Sequence, residues 1–284
     1  MQTVFIAGAT GYLGRHLCSE YRKRGWHVRA LVRDPGRARQ LDADELISAE
    51  ATLPHTLKGI MDGADLVISA LGITRQAEGL AYWDVDYQAN LNLLDEALRA
   101  HVPHFAYIHV LNAGQMAQVP LVAAKMAFVT SLQSASIASS VIAPSGYFSD
   151  MSDFLTMARS GRVWLFGSGA HRINPIHGAD LAATAANAIA RGQDWLDVGG
   201  PDVFSQSDLA KAAFAAVGKP AKITRLPDWL RKVALVLLPY LTPRRIHGPA
   251  QFFLTALGLD MVGAPHGTRH LEAHFAAITG QKLH

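Results

Sequence analysis

The stretch AGATGYLG at residues 7–14 constrains this chain more than any other. It sets Gly8, Gly11 and Gly14 three residues apart, directly after the apolar run TVFIA. A continuous apolar run of that length suits a strand covered on both faces. From Tyr12 the period changes: Leu13, Leu17 and Tyr21 recur at helical spacing, and Gly25 stands where a helix would end. Strand, glycine turn and helix in that order form the opening of a βαβ unit. There the glycines let the backbone approach a pyrophosphate and let the helix pack close to the strand, with its N-terminal N–H groups facing the phosphates. The spacing is G-x-x-G-x-x-G, with Ala9 where the commoner motif has its extra glycine. Its weight comes from the strand before it and the helix after it.

The alternation continues. HVRALVR, ELISA, ADLVISALG, HFAYIHVL and SSVIAP read as further strands, and helices are predicted over residues 86–100 and 123–138. Repeated strand–helix–strand units require crossovers, hence an α/β fold with a doubly wound parallel sheet, at least six strands wide with the first strand inside. The expected organisation is a nucleotide-binding core over residues 1–148 with a return segment at about 172–200. Residues 149–171 and 201–284, mostly helical towards the end, form a smaller substrate or lid region.

Composition narrows the classes. Half of the 284 residues are hydrophobic and 17% charged, which excludes a disordered chain. A formal charge of +3 without a dense Lys/Arg tract gives no expectation of nucleic acid as a partner. Cys18 is the single cysteine, so no intrachain disulfide forms, and its place in the first helical pattern marks it as a small buried hydrophobe. The thirteen histidines are read as scattered, without an H-x-x-x-H or HExxH spacing, and no metal site is expected. The longest apolar run, residues 233–241, is too short to span a bilayer, so a cytoplasmic protein is expected, its strand pattern starting too early for a leader. Residues 228–241 read as a helix begun by Pro227 and kinked or ended by Pro239. Being apolar on every side from Val233, it is expected to be buried inside, with a dimer contact or peripheral membrane contact as alternatives. The oligomeric state stays open.

The motifs AGATGYLGRHL, LVRDP and SALG, followed by DYQANLNLLDEAL, INPIHGADLA and LDVGGP, resemble the atypical short-chain dehydrogenase/reductase superfamily. The resemblance covers roughly residues 1–201 and is closest to its NmrA-like, complex I-subunit-like and divinyl chlorophyllide 8-vinyl reductase-like members. It implies a Rossmann core that binds NAD(P). The cofactor candidates are Gly8, Thr10, Gly11, Tyr12, Leu13 and Gly14 at the pyrophosphate, Glu50 near the adenine, and Ala70, Leu71 and Gly72 as backbone beside the central part. Arg33 closes the second strand, where an Asp or Glu would mark NAD; a guanidinium there suits the 2′-phosphate of NADP. Arg15 and Arg37 add charge. NADP is therefore expected over NAD, with Asp34 on the ribose as the alternative.

In this superfamily a tyrosine and a lysine one helical turn later face the nicotinamide, the lysine making the tyrosine a usable acid or base. Here the lysine is Lys125 and the tyrosine position holds Leu121; His109 stands about where the family's serine would be. The resemblance implies that Lys125 holds the nicotinamide ribose. His109 is a candidate proton donor on the strength of an ordinary histidine pKa, with a structural role equally open. His177 and Asp180 read as structural, and Tyr82, Trp83, Tyr147, Phe148 and Met151 as candidate substrate walls or plain core. The leading expectation is an NADPH-dependent reductase of a small organic substrate. A non-catalytic NADP(H) sensor or assembly factor is the alternative, and a nucleotide-sugar epimerase or dehydratase a weaker one, against which the missing tyrosine argues.

Overall fold

The computed structural model describes residues 1–73 and 79–280, apart from the side chains of Arg37, Arg244 and Arg245, so the charge expected from Arg37 lies outside the described residues. The strands are β1 (Thr3–Ala7), β2 (His27–Val32), β3 (Glu45–Ser48), β4 (Leu66–Ser69), β5 (His104–Ile108), β6 (Ala138–Pro144), β7 (Val163–Phe166), β8 (Arg172–Ile173), β9 (Trp195–Gly199), β10 (Phe204–Ser205), β11 (Ile223–Leu226) and β12 (Ala264–Pro265). The helices are α1 (Tyr12–Lys23), α2 (Asn90–Arg99), α3 (Pro120–Gln133), α4 (Ser152–Arg159), α5 (Gly178–Ala190), α6 (Gln206–Ala216), α7 (Asp228–Leu241), α8 (Arg244–Ala256) and α9 (Leu271–Thr279). A π-helix, Trp83–Ala89, precedes α2.

One eight-stranded sheet has the order β12-β9-β6-β5-β4-β1-β2-β3. The pairs β1–β2, β1–β4, β2–β3, β4–β5, β5–β6 and β9–β12 are parallel. The chain order reverses between β1 and β4, and in open α/β sheets ligands bind outside the carboxyl ends of the strands at such a point. The doubly wound sheet expected from the sequence is present. Two residues of β12, with no periodicity of their own, extend it beyond what the pattern reveals.

Chain contacts divide into two compact units: Met1–Ala143 with Ala182–Leu196, and Pro144–Leu181 with the chain from Asp197 onwards. The core of the first gathers Phe5, Leu31, Met61, Val67, Leu93, Phe105, Tyr107, Phe128 and Val141 from the strands and the helices beside them. The second has its own core of Phe148, Met151, Phe154, Leu155, Leu165, Phe214 and Phe275. Phe148 and Met151 thus pack in this core, the plainer of the two roles expected for them. Cys18 is fully buried and burial pushes its thiol up to about 12, so it is an inert core residue.

Two expectations about helices are corrected. The segment predicted as one helix over residues 86–100 opens as the π-helix because the Asn90 amide donates to the carbonyls of Val85 and Asp86, at 3.1 Å each, and so interrupts the α ladder. Helix α7 is not internally buried: Trp229, Val233, Val236, Leu237, Tyr240 and Leu241 are all exposed. Its other side, with Arg231 buried and Leu235 and Leu238 half-buried, packs on α8. Pro239 lies inside the helix, which runs only two residues further.

Candidate functional site

The glycine turn joins β1 to α1 at the carboxyl edge of the sheet. Gly8 has φ +75°, and a Cβ there would lie 2.6 Å from the Ala70 carbonyl oxygen. A Cβ on Gly14 would sit 2.1 Å from the Gly8 carbonyl oxygen. Only glycine allows this approach of helix to strand. The turn closes with the Gly11 N–H donating to the Gly8 carbonyl at 3.0 Å. Gly11, the N-cap residue of α1, offers no side-chain cap, and the first turn has no acidic residue. The start of α1 therefore combines its dipole with backbone donors that suit an anion. The exposed Thr10 turns its carbonyl to the Arg15 guanidinium at 3.0 Å, which draws Arg15 onto the loop itself. Tyr12 stacks edge-to-face on His16, while Leu13 is buried.

On one side of this turn β2 ends at Val32, followed by the exposed Arg33. The competing Asp34 accepts from the Gly36 N–H at 2.9 Å and caps a short 3-10 turn. Glu50, half-buried two residues beyond β3, accepts from the Thr52 hydroxyl at 3.1 Å. On the other side β4 runs into Ala70, Leu71 and Gly72. Here lies the residue that sequence reasoning missed. Asp86, fully buried on the π-helix, accepts from the Ile73 N–H through Oδ2 at 3.3 Å, and its Oδ1 is 3.2 Å from Lys125 Nζ. A Cβ on Gly72 would meet Asp86 Oδ1 at 2.6 Å and Lys125 Nζ at 3.1 Å. The structure thus brings Gly72 and Lys125, predicted separately, to one point with Asp86 between them.

Lys125, on α3, also donates to the Tyr107 hydroxyl at 3.3 Å and the Ile108 carbonyl at 3.4 Å, and lies 5.1 Å from the Tyr107 ring centroid. Burial pushes the Asp86 carboxyl up to about 6 although Lys125 pulls it down, and burial pushes the Tyr107 phenol up to about 12. Leu121, one turn earlier on α3, is buried. His109 follows β5 and is buried with no hydrogen-bond partner at Nδ1. Burial, followed by the nearby Lys125 charge, lowers its pKa to about 3. This corrects the expectation of an ordinary histidine: at neutral pH the ring carries no spare proton and is no ready acid.

Some candidates stand apart. His177 accepts from the Ala179 N–H at 3.2 Å, while Asp180 accepts from the N–H groups of Thr268 (3.1 Å) and Arg269 (2.9 Å) and pairs with the Arg269 guanidinium. Tyr82 is buried and Trp83 half exposed, 5.4 Å from the Tyr87 ring. His266, His270 and His274 do stand four residues apart, a spacing that suits a metal on a helix face. They do not converge: His270 bonds Asp202 at 2.7 Å, and His274 packs against Phe148 and His177. Among the described residues no three His, Cys, Asp or Glu side chains form a ligand set.

Arg33, the glycine turn, residues 70–72 and His109 follow four adjacent strands, β2, β1, β4 and β5. Three strand spacings of about 4.8 Å make a row roughly 14 Å long, suited to an extended dinucleotide. Fold and row together define a Rossmann-type nucleotide-binding protein. Residues 8–147 match a family model described as NAD(P)H-binding.

Over 253 residues the chain is 26% identical to the divinyl chlorophyllide a 8-vinyl-reductase of Arabidopsis thaliana, covering 79% of this chain and 60% of the relative. The chain therefore spans less than two thirds of that reductase's length. It is 25% identical over 247 residues to the photosystem II assembly factor Ycf39 of Guillardia theta, covering 84% of this chain and 77% of that one. An Escherichia coli NADPH-dependent quinone oxidoreductase, solved in complex with NADPH, matches with a TM-score of 0.77 at 18% identity. That match covers 97% of this chain and 99% of the other, a likeness of fold.

Proposed function

We propose that the protein is an NADPH-dependent reductase that adds hydride to an activated carbon–carbon or carbon–oxygen double bond of a small organic substrate. The observation that carries this reading is the row just described, with the buried pair of Lys125 and Asp86 beside Gly72. The start of α1 would hold the pyrophosphate, with Gly8 to Gly14 and with Thr10, Tyr12 and Leu13 among them. Arg33 takes the 2′-phosphate, a role that the capping engagement of Asp34 supports. Glu50 lies towards the adenine, and Ala70, Leu71 and Gly72 line the central part.

Reduced nicotinamide, when bound, supplies the hydride. Lys125 holds the nicotinamide ribose, and Asp86 holds the Lys125 ammonium in place and balances its charge. Leu121 cannot exchange a proton, and neutral His109 is a poor donor. The proton that completes the reduction then comes from water or the substrate itself. Oxidation of a simple alcohol, which needs a base for the hydroxyl proton, is disfavoured by the roughly 10²–10⁴-fold that such a group contributes. Residues 149–171 and 201–284 are the proposed substrate region.

The test follows NADPH oxidation with enones, quinones and aldehydes. Turnover is expected for at least one class, with Lys125→Ala weakening NADPH binding and slowing the reaction. Turnover that Lys125→Ala leaves unchanged in both respects contradicts the role given to Lys125. Tight NADPH binding with no turnover on any class favours the second reading, a nucleotide-sensing assembly factor, which Leu121 in the tyrosine position and the likeness to Ycf39 support.

A further inference from the structure

We propose that the exposed face of α7 docks this protein onto the surface of an anionic lipid bilayer. At 3.6 residues per turn, Trp229, Val233, Val236, Leu237 and Tyr240 fall within an arc of about 100°, and every one is exposed, Val236 at 64% and Tyr240 at 84%. On α8, Ile246 and Phe253 are exposed as well. Such a contiguous apolar stripe marks an interaction surface.

Three observations select lipid. The first is the arrangement along the stripe: an aromatic residue stands at each end, Trp229 and Tyr240, with aliphatic side chains between. Amphipathic rings favour the depth where headgroups meet acyl chains. The second is charge. From Lys219 to Leu259 the sequence has seven Lys and Arg and the single acid Asp228, a formal +6 where the whole chain carries +3. Arg231 is withdrawn from that set: it is buried, bonds Asp228 at 2.7 Å and donates to the Leu254 carbonyl at 2.9 Å. Lys222 and Lys232 are exposed, and Lys232, whose Nζ lies 3.5 Å from Asp228 Oδ2 while its side chain stays largely in solvent, borders the stripe. Basic residues around an apolar helix face suit anionic headgroups, each contributing about fivefold near a charged surface.

The third observation concerns the helix itself. An interfacial helix ordinarily needs a polar face towards water, and from Val233 onwards the sequence of α7 has none. In the fold that need disappears, because the side opposite the stripe packs on α8 and is closed by the Arg231–Asp228 pair. Fourteen residues make about 21 Å of helix, too short to cross a bilayer, and no helix among the described residues is long and apolar enough to do so. The helix therefore lies in the plane of the surface. A second copy of the chain fits less well, since interface cores are depleted of charge and this stripe is bordered by Lys232. The apolar stripe likewise argues against nucleic acid.

The experiment is co-sedimentation of the full chain with phosphatidylcholine vesicles, with and without phosphatidylglycerol. NADPH binding serves as the control for folding. The wild type should bind the anionic vesicles at least about tenfold more tightly than the neutral ones. Val236→Glu with Tyr240→Glu, and separately Lys222→Glu with Lys232→Glu, should each reduce binding about tenfold or more without changing NADPH affinity. No sedimentation with either vesicle overturns the proposal, as does unchanged binding by both variants. A lipid-independent dimer that Val236→Glu with Tyr240→Glu dissociates, seen by light scattering, would assign the face to a second copy instead.

Discussion

Asp86 is buried at a cost. Its carboxyl has a pKa near 6, above the ordinary 3.8, because burial outweighs the pull of Lys125. An acid whose folded-state pKa is raised contributes its full stability below about pH 4 and loses it as pH rises through about 6. Removing Lys125 takes away a charge that opposes that loss, so Lys125→Met should destabilise the protein by about 1–2 kcal/mol more at pH 8 than at pH 5. Urea unfolding at the two pH values measures the difference. Equal destabilisation would mean that the two side chains are not coupled. His109 allows a second check: with its pKa lowered to about 3, its ring resonances should show no titration between about pH 5 and 8. A midpoint near 6.5 would restore it as a proton donor.

At the scale of elements, the glycine turn is a steric device before it is a binding site. Gly14→Ala places a methyl group 2.1 Å from the Gly8 carbonyl oxygen. It should destabilise the protein by about 2 kcal/mol or more and weaken NADPH binding more than it weakens the fold, as calorimetry and thermal unfolding would show together. A variant with wild-type stability and affinity would contradict the close approach of α1 to β1.

Both the turn and the sheet were legible in the sequence because each depends on local pattern: apolar runs, helical spacing and glycines between them. Lys125 was legible as a position one turn after Leu121. Asp86 was not. It meets Lys125 from a π-helix whose Val85 and Asp86 carbonyls accept from the Asn90 amide, and no periodicity reports a hydrogen bond of that kind. The DVDYQAN run held the one available signal, an Asp and an Asn on an otherwise apolar face. The surface of α7 escaped for a related reason. A helix apolar on every side from Val233 reads as buried, and nothing in its own sequence shows that its neighbour α8 covers only one side.

For the whole molecule, charge and shape are divided. The segment from Lys219 to Leu259 has a formal +6 and the remainder of the chain a net negative balance, so the basic character lies outside the first compact unit. In that unit the row along the carboxyl edge of β2, β1, β4 and β5 is the part that the proposed reduction requires. On the proposed reading residues 149–171 and 201–284 set substrate preference, and exchanging them with a relative's should change which double bond is reduced while leaving cofactor affinity within about threefold. NADPH titrations on the chimaera and its parent would check this.

The central claim is that this edge holds NADPH, with Arg33 on the 2′-phosphate. Isothermal titration of the wild type and Arg33→Ala with NADPH and with NADH tests it most directly. The wild type should bind one NADPH per chain, about tenfold or more tighter than NADH, and Arg33→Ala should lose that preference by weakening NADPH alone. Equal affinities in the wild type, or a preference that survives in Arg33→Ala, would contradict it.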